Sequence, residues 1–342
     1  MNSLTIPRAF DAHVHLRQDD VLPELVGHSA AYCDALLAMP NTTPPLINGN
    51  MVMEYTEKIR RAAEAAGNSN LAVIPCLYLT DNTTADDIEV ACVSGVKAAK
   101  VYPKGGTTNS DAGITNFRSE NFLGALGAMQ ECDMVLCLHG EAQGAKIDVF
   151  EREWMFLDTV RAIHREFPRL RIVLEHISTR AAVECVMRLN DRVAATITAH
   201  HIRFNRTDML GAGLRPLLYC MPVLKHRDEM LAVRRAAVSG NPKFFLGSDS
   251  APHPTDRKIS TCCAAGAFTA PTLLPMLVDT FEQTGLLKQL GAFASEFGPH
   301  FYGFSPSTRT ITLVREPMVV SDMYGRFPAL MGGETLPWSL AK

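Results

Sequence analysis

No stretch of eighteen consecutive apolar residues occurs in this chain, so no segment reads as a membrane-spanning helix. Charge of one sign is also scarce. Lys and Arg total 33 against 36 Asp and Glu, a net charge of −3, and the pI is near 6.4. That balance offers no field for nucleic acid or for anionic membranes, and it points to a small-molecule partner. No C-x2-C pair is present, which argues against a structural zinc site among the 9 scattered cysteines. An odd number of thiols fits a reducing, cytoplasmic setting. Pro7, Arg8 and Asp11 interrupt any apolar leader, so no signal peptide is expected. A G-x-G-x-x-G turn after the first strand is missing, which lowers the dinucleotide-binding reading. Repeats and low-complexity segments are absent.

What the chain does have is apolar bulk, 47% hydrophobic against 20% charged residues, enough for a large core. Its 342 residues suit one α/β barrel with additions. Short apolar runs read as buried strands at 9–16, 32–39, 71–79, 96–102, 134–140, 171–177, 193–199 and 243–249. Helical patterns fill most gaps, at 51–66, 84–93, 119–131, 150–166, 180–189 and 227–239. Ser119 and Thr179 are candidate N-caps. This alternation predicts an α/β fold, a (β/α)8 TIM barrel, as a single domain over 1–342. The barrel is expected over about 9–305, with helices near 270–298 packed on it. Residues 306–342 are expected to be an irregular C-terminal extension without a core of its own. An open doubly wound sheet gives a similar pattern.

Chemistry in such a barrel sits at the C-terminal ends of the strands. The awkward polar residues gather there. His13 and His15 lie late in the first run, and Lys100, His139, His176 and Asp249 lie at the ends of the fourth, fifth, sixth and eighth. Residues i and i+2 of a strand share a face, so His13 and His15 of "FDAHVHLR" are predicted to meet one metal ion. An isolated H-x-H is as often a pair of satisfied core histidines. Matching residues on four more strand ends weigh against that here. Lys100 has no lone pair while protonated and ordinarily would pair with an acid. Its alternative is a carbamate, formed from the neutral amine and carbon dioxide, which behaves as a carboxylate and can bridge two metals. His139 and His176 are either core histidines or ligands of a second metal, and imidazole with carboxylate donors favours zinc. Asp249 in "FLGSDSAPH" reads as a turn residue, or as a ligand and general base. His200 and His201 read as a structural or solvated pair, and Trp154 and Trp338 as packing residues.

The ordered set "DAHVHLR", "MPNTTPP", "AAKVYPKGGTTNS", "LCLHGE", "VLEHIST", "LYCMPVLK", "FLGSDSAPH" and "RKISTCCAAGAFTAP" resembles the amidohydrolase superfamily. More narrowly, it is similar to the short, bacterial-type dihydroorotase family, over most of the chain up to about residue 305. The resemblance implies two divalent metal ions, Zn2+ in the family. His13, His15, Lys100 as N6-carboxylysine, and Asp249 would hold one. Carboxylated Lys100, His139 and His176 would hold the other. Arg17, Asn41 and His253 would grip a substrate carboxylate, with His139 also touching substrate. Backbone groups near Met221, Ala265 and Gly266 would hold the ring amide, although Met221 stands where leucine is expected. The bland alternatives are a surface salt bridge for Arg17 and a simple turn for Asn41. Segment 103–113, with Thr107 and Thr108, is either a solvated loop or, by the resemblance, a lid.

The activity so implied is reversible hydrolysis of (S)-dihydroorotate to N-carbamoyl-L-aspartate in pyrimidine biosynthesis, with Asp249 moving the proton, in a homodimer. Two rivals stand beside it. A hydantoinase-like or lactonase-like hydrolase would use the same metal cradle, and a non-catalytic barrel subunit would keep the fold alone. Arg17 and Asn41 point to a substrate bearing a carboxylate. The complete ligand set speaks against the non-catalytic barrel.

Overall fold

The computed structural model describes residues 2–341. Strand β1 (Ser3–Pro7) lies outside the barrel. The barrel strands are β2 (Ala9–Val14), β3 (Cys33–Ala38), β4 (Ala72–Ile74), β5 (Cys76–Tyr78), β6 (Ala98–Val101), β7 (Val135–His139), β8 (Ile172–Glu175), β9 (Val193–Ile197) and β10 (Phe244–Leu246). Neighbouring strands pair in parallel in this order. β4 and β5 are two halves of one stave, split at Pro75, which has no N–H to donate to the ladder. The sheet closes where the first strand meets the segment after the last. Val14 bridges Ser250 in parallel. His15 N donates to Ser250 O at 3.0 Å, and Asp249 N donates to His13 O at 2.9 Å. The result is the expected eight-staved α/β barrel.

The helices are α1 (Leu22–Ala30), α2 (Gly49–Ala65), α3 (Ala85–Val93), α4 (Glu120–Glu131), α5 (Arg152–Glu166), α6 (Arg180–Arg188), α7 (Ala199–Arg203), α8 (Arg206–Leu210) and α9 (Arg227–Ala237). Ser119 and Thr179 cap α4 and α6, accepting from Phe122 N and Ala182 N. α1 escaped the sequence reading. It is short, carries Pro23 and Gly27, and has no side-chain cap, so its local signal is weak.

Alternation along the strands builds two apolar layers. Phe10, Leu37, Cys137, Val173 and Phe245 fill the barrel interior and are closed from below by Phe297, Phe301 and Tyr302. Leu36, Leu136, Leu138 and Leu174 face outward and belong to the cluster shared with the helices. The lower barrel is thus filled mainly with hydrocarbon.

The tail is more ordered than expected. Strand β11 (Thr310–Val314) pairs antiparallel with β1, Ser3 opposite Val314, and Ser339–Leu340 adds a third strand. The pairing joins the two ends of the chain, a contact without any local signature in sequence. Leu313, Phe327 and Trp338 of the tail are buried in the same cluster as the barrel helices. Among the described residues, no helix is long and apolar enough to cross a membrane.

Candidate active site

The ladder of β2 is irregular between Asp11 and Val14. Buried Asp11 pins this point, its Oδ1 accepting from His13 N at 3.2 Å and from Ser248 N at 2.8 Å. His13 and His15 then face the same space, their Nε2 atoms 3.3 Å apart. Asp249 Oδ1 lies 3.3 Å from His13 Nε2 and 3.1 Å from His15 Nε2. Gly247 makes the approach possible. A Cβ there would stand 2.7 Å from Thr196 Cβ and 3.0 Å from His13 Cβ.

Across the rim, His139 Nδ1 lies 3.2 Å from His176 Nε2. Val173 faces the barrel interior, so Glu175 does too, and a regular strand would turn the next residue outward. His176 instead adopts a φ of 43°, and its amide donates to Thr196 Oγ1 at 2.7 Å. Arg17 (φ 56°) and Asp249 (φ 44°) share this left-handed conformation. Three non-glycine residues held so at one rim mark a site where geometry overrides backbone preference. Lys100 is fully buried beneath them, its Nζ against the carboxylate of Glu175. The same oxygen, Glu175 Oε2, lies 2.9 Å from His13 Nδ1.

Burial keeps the imidazoles neutral. It lowers His13 and His139 below the ordinary histidine range, His15 to about 4, and His176 well below that range. Burial alone would raise Asp249, but hydrogen bonds from His13 and His15 hold its carboxyl well below the usual range. A carboxylate behind the His139 ring fixes its tautomer. Glu141 Oε2, 3.0 Å from His139 Nε2, leaves Nδ1 of that ring bare. Glu175 Oε2 stands 2.9 Å from His13 Nδ1 without forming a hydrogen bond to it. The rim therefore gathers imidazole nitrogens and an anionic oxygen 3.1–3.3 Å apart. Tetrahedral zinc with 2.0–2.1 Å bonds separates its ligands by about 3.3 Å. These residues fit a pair of divalent cations. Burial also lowers the Lys100 amine to about 8, which brings its neutral, carbon dioxide-reactive form within reach near neutral pH.

The other end of the cavity is arranged for an anion. Arg17 Nε donates to Pro252 O at 3.1 Å, and Nη2 lies 3.1 Å from His253 Nε2. His253 Nε2 is also 3.0 Å from Ala265 O. A carbonyl only accepts, so Nε2 carries its proton toward Ala265 and has no lone pair for Arg17. The Arg17 Nη2 hydrogens are left for a ligand. Burial lowers this guanidinium only to about 10, so it stays charged. Segment 103–113 lies folded onto the rim. Asn41 Nδ2 donates to Thr108 O at 3.0 Å, Asn109 Nδ2 to Asn41 O at 3.0 Å, and Thr108 Oγ1 to Ala265 O at 3.3 Å. Gly266, at φ 149°, passes so near Ala251 that a Cβ would meet its carbonyl oxygen at 2.5 Å.

His13, His15, Arg17, Asn41, Thr107, Thr108, His139, His176, Met221, Asp249, Ala265 and Gly266 all line this one cavity. Lys100 lies below it, and His253 stands behind Arg17. Some expectations need correction. β10 ends at Leu246, so Asp249 sits three residues past its strand, and His176 one past β8. His200 and His201 are buried rather than solvated. Trp154 is 61% exposed and packs little, whereas Trp338 is fully buried. Glu141 and Glu175 were not read from sequence. Only Glu141 had a local signal, in "HGE", whereas Glu175 of "LEH" adjoins His176 in sequence but stands against His13.

No protein-family model matches the chain. It is 46% identical over 347 residues to the dihydroorotase of Shewanella loihica, covering 99% of each protein. The crystal structure of dihydroorotase from Campylobacter jejuni superposes with a TM-score of 0.90 at 32% identity, over 100% of this chain and 98% of that one. Dihydroorotase from Saccharomyces cerevisiae, solved in complex with 5-fluoroorotic acid, superposes with a TM-score of 0.91 at 30% identity, over 100% and 99%. Likeness of this extent runs through barrel, rim and tail alike, and the chain belongs to the dihydroorotase family.

Proposed function

We propose that the protein interconverts (S)-dihydroorotate and N-carbamoyl-L-aspartate, opening and closing a cyclic amide for pyrimidine biosynthesis. The observation that carries this is the triangle of His13 Nε2, His15 Nε2 and Asp249 Oδ1, 3.1–3.3 Å on each side. It shares a cavity with the His139–His176 pair and with Arg17. His13, His15 and Asp249 would hold one divalent ion, His139 and His176 a second, and Lys100, as its carbamate, would serve both. When bound, such ions, zinc by this donor set, supply Lewis acidity and an acidified water.

The chain's own residues do the rest. Arg17, with Asn41 and His253 near it, offers a charged donor fork to the substrate carboxylate and so sets the orientation of the ring. Backbone groups of Met221, Ala265 and Gly266 hold the ring amide. The Asp249 carboxylate, ionised at neutral pH, accepts a proton as the ring opens and hands it to the departing nitrogen. In ring closure the same proton returns. Thr107 and Thr108 cover the cavity and exclude bulk water, acting as a lid.

Within this reading the 1–342 chain is one domain working as a homodimer in the cytoplasm. The 9 cysteines, all free, support a reducing compartment. A hydantoinase-like activity has no need of Arg17 and is not favoured, and a non-catalytic barrel would not be expected to keep every donor. The test is purification with divalent metal followed by the loss of dihydroorotate absorbance. Turnover is expected. A folded, metal-loaded protein without turnover would overturn the proposal.

A further inference from the structure

Beside the rim stands a second group of donors that the reaction does not use. α7 carries His200 and His201, and the segment 219–222 passes against them. A ring nitrogen of each histidine and Cys220 Sγ lie within 4.8 Å of one another, all buried. His200 is 1% exposed, yet neither Nδ1 nor Nε2 has a hydrogen-bond partner. Burying both polar atoms of an imidazole unpaired is costly and calls for a reason.

The neighbouring contacts supply one. His201 Nε2 lies 2.9 Å from Pro222 O, and a carbonyl only accepts, so that nitrogen carries a proton. His201 Nδ1 then accepts from Thr198 Oγ1 at 2.8 Å. Cys220 Sγ donates to the same Pro222 oxygen at 3.3 Å. Two protons therefore converge on one oxygen, next to the unpartnered nitrogens of His200. A single cation in their place would take the lone pair of one His200 nitrogen and relieve the crowding of protons on Pro222 O.

We propose that His200, His201 and Cys220, with Pro222 O as fourth donor, form a separate site for one thiophilic divalent cation such as Zn2+ or Cd2+. The dimensions are close. Zn–N of 2.0–2.1 Å and Zn–S of 2.3 Å place nitrogen and sulfur about 3.6 Å apart, and Cys220 Sγ is 3.9 Å from His201 Nε2. Binding replaces the S–H bond by a metal–thiolate bond and sends that proton to solvent. His201 moves its proton from Nε2 to Nδ1, and the Thr198 hydroxyl turns to accept it. Thiolate and imidazole together select zinc or cadmium over magnesium or manganese. Burial keeps His200 at about 3 and His201 at about 4, so both rings are neutral. It also pushes the Cys220 thiol far up, so the thiolate forms only with the metal. An occupied site would tie the stretch that holds Met221, a residue of the reaction cavity, to α7.

The experiment is titration of the metal-replete holoenzyme with Co2+ and, separately, Cd2+. Bound metal is counted by elemental analysis, and thiolate-to-cobalt charge transfer is read in the near ultraviolet. The rim donors include no cysteine, so this absorption is blind to them, and its absence would leave the proposed activity untouched. One extra equivalent, the charge-transfer band and one released proton per ion are expected, all lost in Cys220→Ala and in His200→Gln. No extra equivalent, or a band that persists in Cys220→Ala, overturns the site. Should Cys220→Ala not fold, His200→Gln decides, because undiminished uptake in that variant also overturns it.

Discussion

Glu175 Oε2 lies 2.9 Å from His13 Nδ1 and contacts Lys100 Nζ through the same oxygen. One buried carboxylate thus stands against both a ring of the rim and the lysine beneath it. Glu141 Oε2 is hydrogen-bonded to His139 Nε2 at 3.0 Å. Acids placed behind ligand histidines fix the ring and raise its basicity. Glu175→Gln and Glu141→Gln should each weaken metal binding ~10–100-fold. Competition with a chromophoric chelator measures this, and unchanged affinity would show that the pairs do not tune the rim.

Lys100→Ala should abolish turnover and lower the bound metal, because it removes the donor proposed to serve both ions. Short carboxylic acids should restore part of the activity by standing in for the lost carbamate. Intact-protein mass should reveal the added carbon dioxide in the unmutated chain under neutral conditions and its loss in acid. Normal turnover by the variant would exclude a bridging role.

Arg17→Lys keeps the charge but loses the planar fork. A hydrogen bond to a charged group contributes roughly 1.5–3 kcal/mol, so kcat/KM for dihydroorotate should fall about 10–100-fold. Steady-state kinetics give the number. A cyclic imide without a carboxylate should be turned over no worse by the variant, and an equal loss on both substrates would place the effect elsewhere.

Glu153 is buried behind the rim, accepting from Ser178 N at 2.8 Å. Burial raises its carboxyl from 4.5 to about 7, with Lys225 and hydrogen bonds from Thr179 and Ser178 acting in the opposite direction. Between these values the folded chain binds more protons at Glu153 than the unfolded chain. Stability should therefore fall as pH rises through that window, with the full penalty present above about 7. Glu153→Gln should flatten this fall. Urea midpoints of both proteins at about pH 5 and about pH 8 test it, and parallel pH profiles would count against a buried, titrating Glu153.

The strand–helix alternation and the donor types at the strand ends were determined by the sequence alone. Periodicity and residue chemistry are local properties, legible wherever side chains must alternate between core and surface. Boundaries and partners were not legible. His15 meets Asp249 across 234 positions, β1 finds β11 at the far end of the chain, and buried His200 faces Cys220 from another segment. Nothing local encodes such pairings, since they arise only when the barrel closes. The left-handed turn at His176 was likewise imposed by its contact with Thr196 rather than by its own preference. Tertiary structure also chose which acids stand behind the histidines, because Glu175, beside His176 in sequence, comes to rest against His13 instead.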